Sequence, residues 1–216
     1  MCARSSNAFV ERRGNNMPDQ PSNRAAIDQW IVDHTPQGGR VLDIGCSEGD
    51  LLARLVAERG VRAVGIELSE PRAAKAIQRG LSVHHGNAEE GLDHHSDATF
   101  DAVVISLTIQ ETGDPRRLLH EAFRVGKYVI VVFPNFGYWR GRLQLGFVGR
   151  APRTPSLPDT WYESPNRHFF TIADWEEFCE REGWRAADRG FLAAGRKIVF
   201  LPNLRAEVAM YLLEKK

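Results

Sequence analysis

Near-continuous apolar runs alternate with amphipathic stretches along most of this chain. Val61-Arg62-Ala63-Val64-Gly65-Ile66, Phe100-Asp101-Ala102-Val103-Val104-Ile105-Ser106 and Tyr128-Val129-Ile130-Val131-Val132-Phe133 are such runs, and Arg40 to Ile44 and Leu81 to His85 are shorter ones. Apolar residues at consecutive rather than alternate positions suit strands covered on both faces of a parallel sheet. Helical signals lie between them. Ile27, Trp30 and Ile31 recur at helical spacing in an entry helix, Leu51 to Arg59 forms a second, and Glu70-Pro71 opens a third that Gly80 closes. Asp114-Pro115 begins a fourth that runs to Arg124. The order strand, helix, strand, helix predicts an α/β domain, a mostly parallel twisted sheet of about seven strands with helices on both faces.

The pattern changes at both ends. Residues 1–22 are polar, with Pro18 and Pro21, and read as a flexible tail before a single domain at 23–216. Residues 134–170 form a long insertion after the Phe133 run. Thr171 is placed to cap a helix from Ala173 to Glu182. Arg185 to Gly190 and Lys197 to Leu201 are expected to make a closing strand pair, and no internal repeat or second domain boundary is present.

Composition narrows the class of protein. With 216 residues, 43% of them hydrophobic and 26% charged, the chain can bury an ample core. A formal net charge of zero gives no electrostatic case for nucleic acid or an anionic membrane. No run approaches the ~20 apolar residues that cross a bilayer. The N-terminus lacks the apolar core of a secretion signal, so the expected location is cytoplasmic. Cys2, Cys46 and Cys179 are far apart and odd in number, which suits a reducing compartment.

The candidate chemistry starts at Asp43-Ile44-Gly45-Cys46-Ser47-Glu48-Gly49, where a strand ends in an acid and a small-residue turn opens a helix. Glycine permits positive φ and close backbone approach, and the helix start offers unpaired amides. A dinucleotide turn reads G-x-G-x-x-G; this spacing instead resembles motif I, D/E-x-G-x-G-x-G, of the class I S-adenosylmethionine (SAM) methyltransferases, with Ser47 at the middle glycine. A nicotinamide oxidoreductase is disfavoured by the same spacing. Glu67 ends the next strand about 20 residues on, where an acid is expected to hold two ribose hydroxyls. Gly86-Asn87 stands where related enzymes carry a G-D or G-N step toward adenine, and the Asn87 side chain offers donor and acceptor, although it equally serves a turn. The resemblance implies a Rossmann-like fold and a SAM or S-adenosylhomocysteine (SAH) site of Asp43, Gly45, Cys46, Ser47, Gly49, Glu67, Leu68, Asn87, Ala88 and Ser106. Cys46 is expected to be there for its small size, since no basic neighbour in sequence would activate a thiolate.

Metal and hydrolase readings fare worse. His84-His85 and His94-His95 suggest ligands at a glance, but adjacent strand residues point to opposite faces, and no Cys or carboxylate completes a ligand spacing. No metal is therefore expected. G-x-S-x-G, P-loop and zinc-deaminase signatures are lacking.

The insertion is too polar and proline-rich for core yet dense in aromatic residues and arginines, and loops of this length are usually functional. It contains F-P-N-F-G-Y-W-R-G-R-L-Q-L from Phe133, G-R-A-P-R-T from Gly149 and W-Y-E-S-P-N-R-H from Trp161. These closely resemble the methionine biosynthesis MetW family, with F-P-N-F-x-x-W-x-x-R-L-Q-L, G-R-x-P-x-T and W-Y-x-T-P-N-x-H. The likeness covers about residues 23 to 200; Ser47, Asn87 and Ser164 depart from it. It implies a protein that works with the homoserine O-acyltransferase of methionine biosynthesis, with Asn135, Trp139, Arg142, Trp161, Tyr162, Asn166 and His168 as substrate or partner residues. The insertion also reads as a lid over the cofactor. The alternative is an active methyltransferase on a small molecule, for which Ser106, Thr108, Gln110, Tyr162 and His168 are acceptor-side candidates with no base identified.

Overall fold

In the computed structural model, which describes residues 23–215, five parallel strands carry the alternating pattern: β1 (Arg40–Ile44), β2 (Arg62–Glu67), β3 (Val83–His85), β4 (Phe100–Ser106) and β5 (Gly126–Pro134). Three further strands, β6 (Trp184–Ala193), the two-residue β7 (Arg196–Lys197) and β8 (Val208–Lys215), extend the sheet antiparallel in the order β3-β2-β1-β4-β5-β8-β6-β7. The expected tail at residues 1–22 lies outside the described residues.

Helices α1 (Asn23–His34), α2 (Asp50–Arg59), α3 (Glu70–Gln78) and α5 (Pro115–Val125) fall where the periodicity predicts them, with a short α4 (Ala88–Gly91) between β3 and β4. One face of the sheet packs Ile27 and Ile31 of α1 and Leu51 and Leu55 of α2 against Val104, Val132 and Met210. The other packs Leu118, Leu119 and Phe123 of α5 with Ile172 and Trp175 of α7 (Ile172–Glu182). Phe133, fully buried, is at the heart of this second layer, its ring centroid 5.0 Å from Trp175 and 5.9 Å from Tyr211. Burying one such side chain contributes roughly 1.5–3 kcal/mol. Thr171 caps α7 as expected, and in reciprocal form: its hydroxyl accepts from Asp174 N–H and Asp174 accepts from Thr171 N–H.

Two expectations need correction. The main partner of β6 is β8, and the expected pairing with Lys197–Leu201 is reduced to the two-residue β7, where Lys197 stands opposite Leu192. Val208 to Leu213 is apolar enough to be covered on both faces between β5 and β6, whereas Val199, Phe200 and Leu201 are 84%, 67% and 50% exposed. Pro202 instead starts a short helix, α8 (Pro202–Arg205). The insertion is also not all loop: Trp139–Leu143 forms α6 and continues as a wider helical turn, Gln144–Val148, that ends at Gly149 with φ 66°.

The strand order reverses between β1 and β4, because the chain runs outward through β2 and β3 and then returns to the other side of β1. In open α/β sheets ligands bind beyond the carboxyl ends of the strands at such a reversal. Asp43 and Ser106 stand at those ends.

Candidate functional site: a turn ringed by buried carboxylates

Strand β1 leaves the sheet through Asp43 and Ile44 into a turn fixed by backbone bonds: Gly45 and Cys46 N–H both donate to Ile66 C=O, at 2.8 and 3.2 Å, and Gly49 N–H donates to Cys46 C=O at 3.0 Å. Gly45 has φ 77°, and a Cβ there would lie 2.3 Å from Thr108 Oγ1, so this backbone passes close under the β4 exit. Gly49 N-caps α2 and has no side chain to occupy the first amides of the helix.

Glu67, at the end of β2, is buried and holds both sides of the turn. One oxygen accepts from Ser47 N–H at 2.8 Å and the other from Ser69 N–H at 2.8 Å. The carboxylate is thus aimed at the motif turn, while Leu68 beside it is 64% exposed and offers an apolar surface there. Asp43 is buried, and burial pushes its carboxyl up to about 7; Arg24 opposes this, and Asp28 and Glu67 add to it.

Asp28 and Arg24 of α1 were not legible as site residues. Asp28 is buried, its carboxyl also raised chiefly by burial, and Arg24 Nε pairs with both of its oxygens, at 3.2 Å and 3.1 Å. Their four-residue spacing was the available signal, but nothing local shows that α1 brings them within electrostatic range of Asp43.

Cys46 is buried, and burial, with Asp43 and Glu67 nearby, pushes its thiol up to about 12. It is no nucleophile at neutral pH. A Cβ on Gly65 would lie 2.4 Å from Cys46 Sγ, so the small thiol and the missing side chain fit each other across β1 and β2.

Ser47 has φ 53°, the left-handed region. A glycine here would adopt that backbone without the Cβ cost of roughly 1–2 kcal/mol. Ser47→Gly is therefore expected to fold at least as stably and to bind SAM at least as tightly as the parent. Calorimetry showing clearly weaker binding by a folded glycine variant would identify the hydroxyl as a ligand group.

On the far side of the turn, the β4 exit is knit by its own bonds. Gln110 Nε2 donates to Leu107 C=O at 2.7 Å and Thr108 Oγ1 to Ser106 C=O at 3.1 Å. Ser106 Oγ and Gln110 Oε1 are buried without partners. Arg167 and His168 N–H both donate to Gln110 C=O, and His168 Nε2 lies 3.0 Å from Thr112 C=O, so the end of the insertion is laced to this exit. Tyr162 is 68% exposed and its ring lies against Trp161 instead.

Other expected site residues have internal partners. Asn87 caps α4, accepting from Glu89 N–H at 3.0 Å and donating to Glu90 at 3.3 Å, and Ala88 packs against the core. Asn135, buried, donates to Asn203 and Ala206 C=O and accepts from Gly137 and Ile172 N–H. Arg142 donates to Gly137 and Asn203 C=O. Asn166 is half-buried beside Ser164. Trp139 and Trp161 are 40% and 80% exposed.

The residues around the turn suit a small cationic, hydroxyl-bearing ligand. Glu67 has lone pairs left for hydroxyls, Asp43 adds a second buried carboxyl beside the turn, and the Ser106 and Gln110 side-chain oxygens are buried without hydrogen-bond partners. SAM has these features. A cleft of about 430 Å³ lies elsewhere, between α5 and α7, where Ile109, Leu119, Phe170, Trp175 and Phe178 wall it. It includes none of the residues of the motif turn. Among the described residues no three His, Cys, Asp or Glu side chains gather where a metal could sit.

Comparison with known proteins identifies the family and the fold. The family model described as methionine biosynthesis protein MetW matches residues 24–213. A bifunctional methionine biosynthesis protein MetXA/MetW of Rhodopirellula baltica is 34% identical over 156 residues, 68% of this chain and 25% of that one. A ubiquinone biosynthesis O-methyltransferase of Pseudomonas fluorescens is 30% identical over 104 residues, 45% of this chain and 44% of the relative. The chain thus spans a quarter to under half the length of these relatives. Among solved structures, a SAM-dependent methyltransferase of Thermotoga maritima superposes with a TM-score of 0.64 at 22% identity, covering 91% of each chain. The fold is that of the class I SAM methyltransferases.

Proposed function

Because this chain belongs to the methionine biosynthesis protein MetW family, we propose that it binds SAM at the motif turn and serves as a partner that supports or regulates homoserine O-acyltransferase. The observation that carries the partner reading is the Rhodopirellula baltica relative, which joins a MetXA unit and a MetW unit in one chain. Fusion raises the effective concentration of two units for each other, and is favoured where they work in contact. The exposed aromatic side chains of the insertion are the surface offered for that contact, since Trp and Tyr are enriched at binding hot spots. The proposed location is the cytoplasm; no described helix is long and apolar enough to cross a membrane.

The cofactor would be held by Glu67 on its ribose hydroxyls, by the amides at the start of α2, and by Asp43 near its ammonium. When bound, SAM supplies an activated methyl group. SAM is also the downstream product of the pathway, so its binding here couples supply to the committed step. A methyltransferase acting on a small molecule is the second reading, favoured by the unpartnered Ser106 and Gln110 oxygens at the β4 exit. Neither is a base, and a thiol pushed up to about 12 at Cys46 is not one either.

The test is copurification with homoserine O-acyltransferase, followed by acetyl or succinyl transfer assayed with and without this chain. Association and an altered rate are expected. Trp161→Ala should weaken association by about 2 kcal/mol, roughly thirtyfold, with the fold intact because the indole is 80% exposed. No association and no rate change would reject the partner reading. A methylated small molecule found by mass spectrometry would move the assignment to the second.

A further inference from the structure

The turn after β7 is apolar where a surface turn has no need to be. Val199, Phe200, Leu201 and Leu204 are 84%, 67%, 50% and 37% exposed within six positions. Leu201 sits at φ 49°, a conformation that leucine rarely adopts. Contiguous exposed apolar surface of this kind marks an interaction site.

This turn is not isolated from the insertion. Asn203 C=O accepts from Asn135 Nδ2 at 3.1 Å and from Arg142 Nη2 at 3.3 Å, and Arg142 stands on α6. On the helical segment that α6 begins, Trp139, Leu143 and Phe147 recur every fourth residue and are 40%, 44% and 85% exposed, an outward apolar stripe. The bonds at Asn203 therefore join two exposed apolar elements that are about sixty residues apart in the chain.

The charge is equally uneven. Residues 134–170 carry five arginines against Asp159 and Glu163, and residues 196–205 carry Arg196, Lys197 and Arg205 with no acid, so the two segments total +6 in a chain of net charge zero. We infer that the 199–204 turn and the α6 stripe form one docking face for the homoserine O-acyltransferase, which meets it with an apolar, acidic surface; this rests on the partner reading above. The face itself carries Arg140 and Arg142 on α6 and Arg205 beside the turn, with no acid among residues 139–148 or 199–205, and this excess selects against a second copy of the same face.

The experiment measures association of the purified acyltransferase with the parent, Phe200→Ser, Val199→Ser and Trp161→Ala proteins at two salt concentrations. Both serine variants change exposed side chains, so thermal unfolding and the SAM-induced shift should match the parent. The expected result is at least tenfold weaker association for Phe200→Ser, a smaller loss for Val199→Ser, and weakening of the parent by salt. Parent-like association by both serine variants while Trp161→Ala loses it would confine the face to the insertion and overturn this inference alone. Loss of self-association in Phe200→Ser with acyltransferase binding retained would also overturn it, in favour of a dimer face. Failure of the parent itself to associate would reject the partner reading and this occupant with it.

Discussion

Glu67→Ala is expected to abolish the thermal stabilisation that SAM confers and, separately, to lower the stability of the ligand-free fold by about 3 kcal/mol. The second effect follows from the two backbone amides, Ser47 and Ser69, that the carboxylate accepts from within the protein. Each amide left without a partner in a buried place costs roughly 1–3 kcal/mol. The first follows from the expected role of the same carboxylate on the ribose. Saturating the parent at about 100 times the dissociation constant should add about 2.7 kcal/mol, and the variant should gain nothing at that concentration. Calorimetry well below the variant's midpoint separates the effects, since binding is then read on folded protein. Undiminished binding by Glu67→Ala, or no binding by the parent at millimolar SAM, would sink the assignment of this site.

Asp43 should make stability depend on pH. Its folded carboxyl stands at about 7 against an ordinary value of 3.8, chiefly through burial. A carboxyl raised in the folded state is penalised when charged. The protein is therefore favoured by this group below about 4 and loses that advantage as pH rises to about 7, after which the loss is complete. At 1.36 kcal/mol per pKa unit, the three-unit gap is on the order of 4 kcal/mol. Asp43→Asn removes the charge but keeps the shape, so its stability relative to the parent should climb by up to that amount between pH 4 and pH 8, measured by urea unfolding at each pH. A constant difference between the two proteins would show that Asp43 does not titrate in this window. SAM affinity should move the other way, rising with pH toward about 7 as the ionised carboxylate draws the ligand's cationic groups, and Asp43→Asn should lose that rise.

The parts of this fold that a reader of the sequence can find are those settled by neighbours along the chain. Asp43, the glycines after it and Glu67 are legible because strand ends, turn and helix start follow one another, and the pairing of Gly45 with Ile66 needs only a short crossover. Thr171 is legible for the same reason. Lys197 to Leu201 misleads because its apolar run has strand propensity, and propensity does not tell which run the sheet admits. Val208 to Leu213 wins that place by packing on both faces between β5 and β6. Asn135 and Arg142 look like recognition residues in an aromatic, arginine-rich motif, yet their partners at Asn203 are 68 and 61 positions away. Asn87 shows the opposite case, where the modest reading of a polar residue in a turn describes what its side chain does.

The single amide oxygen of Asn135 receives Gly137 N–H at 3.0 Å and Ile172 N–H at 3.3 Å. Those two amides are the doorposts of the insertion, so everything between them departs from and returns to one atom. A segment pinned this way has its two ends held side by side, so closing it costs an entropy that grows only with the logarithm of its length, about 0.6 kcal/mol per doubling, and the bonds of Arg142, Arg167 and His168 to the body then fix where its middle lies.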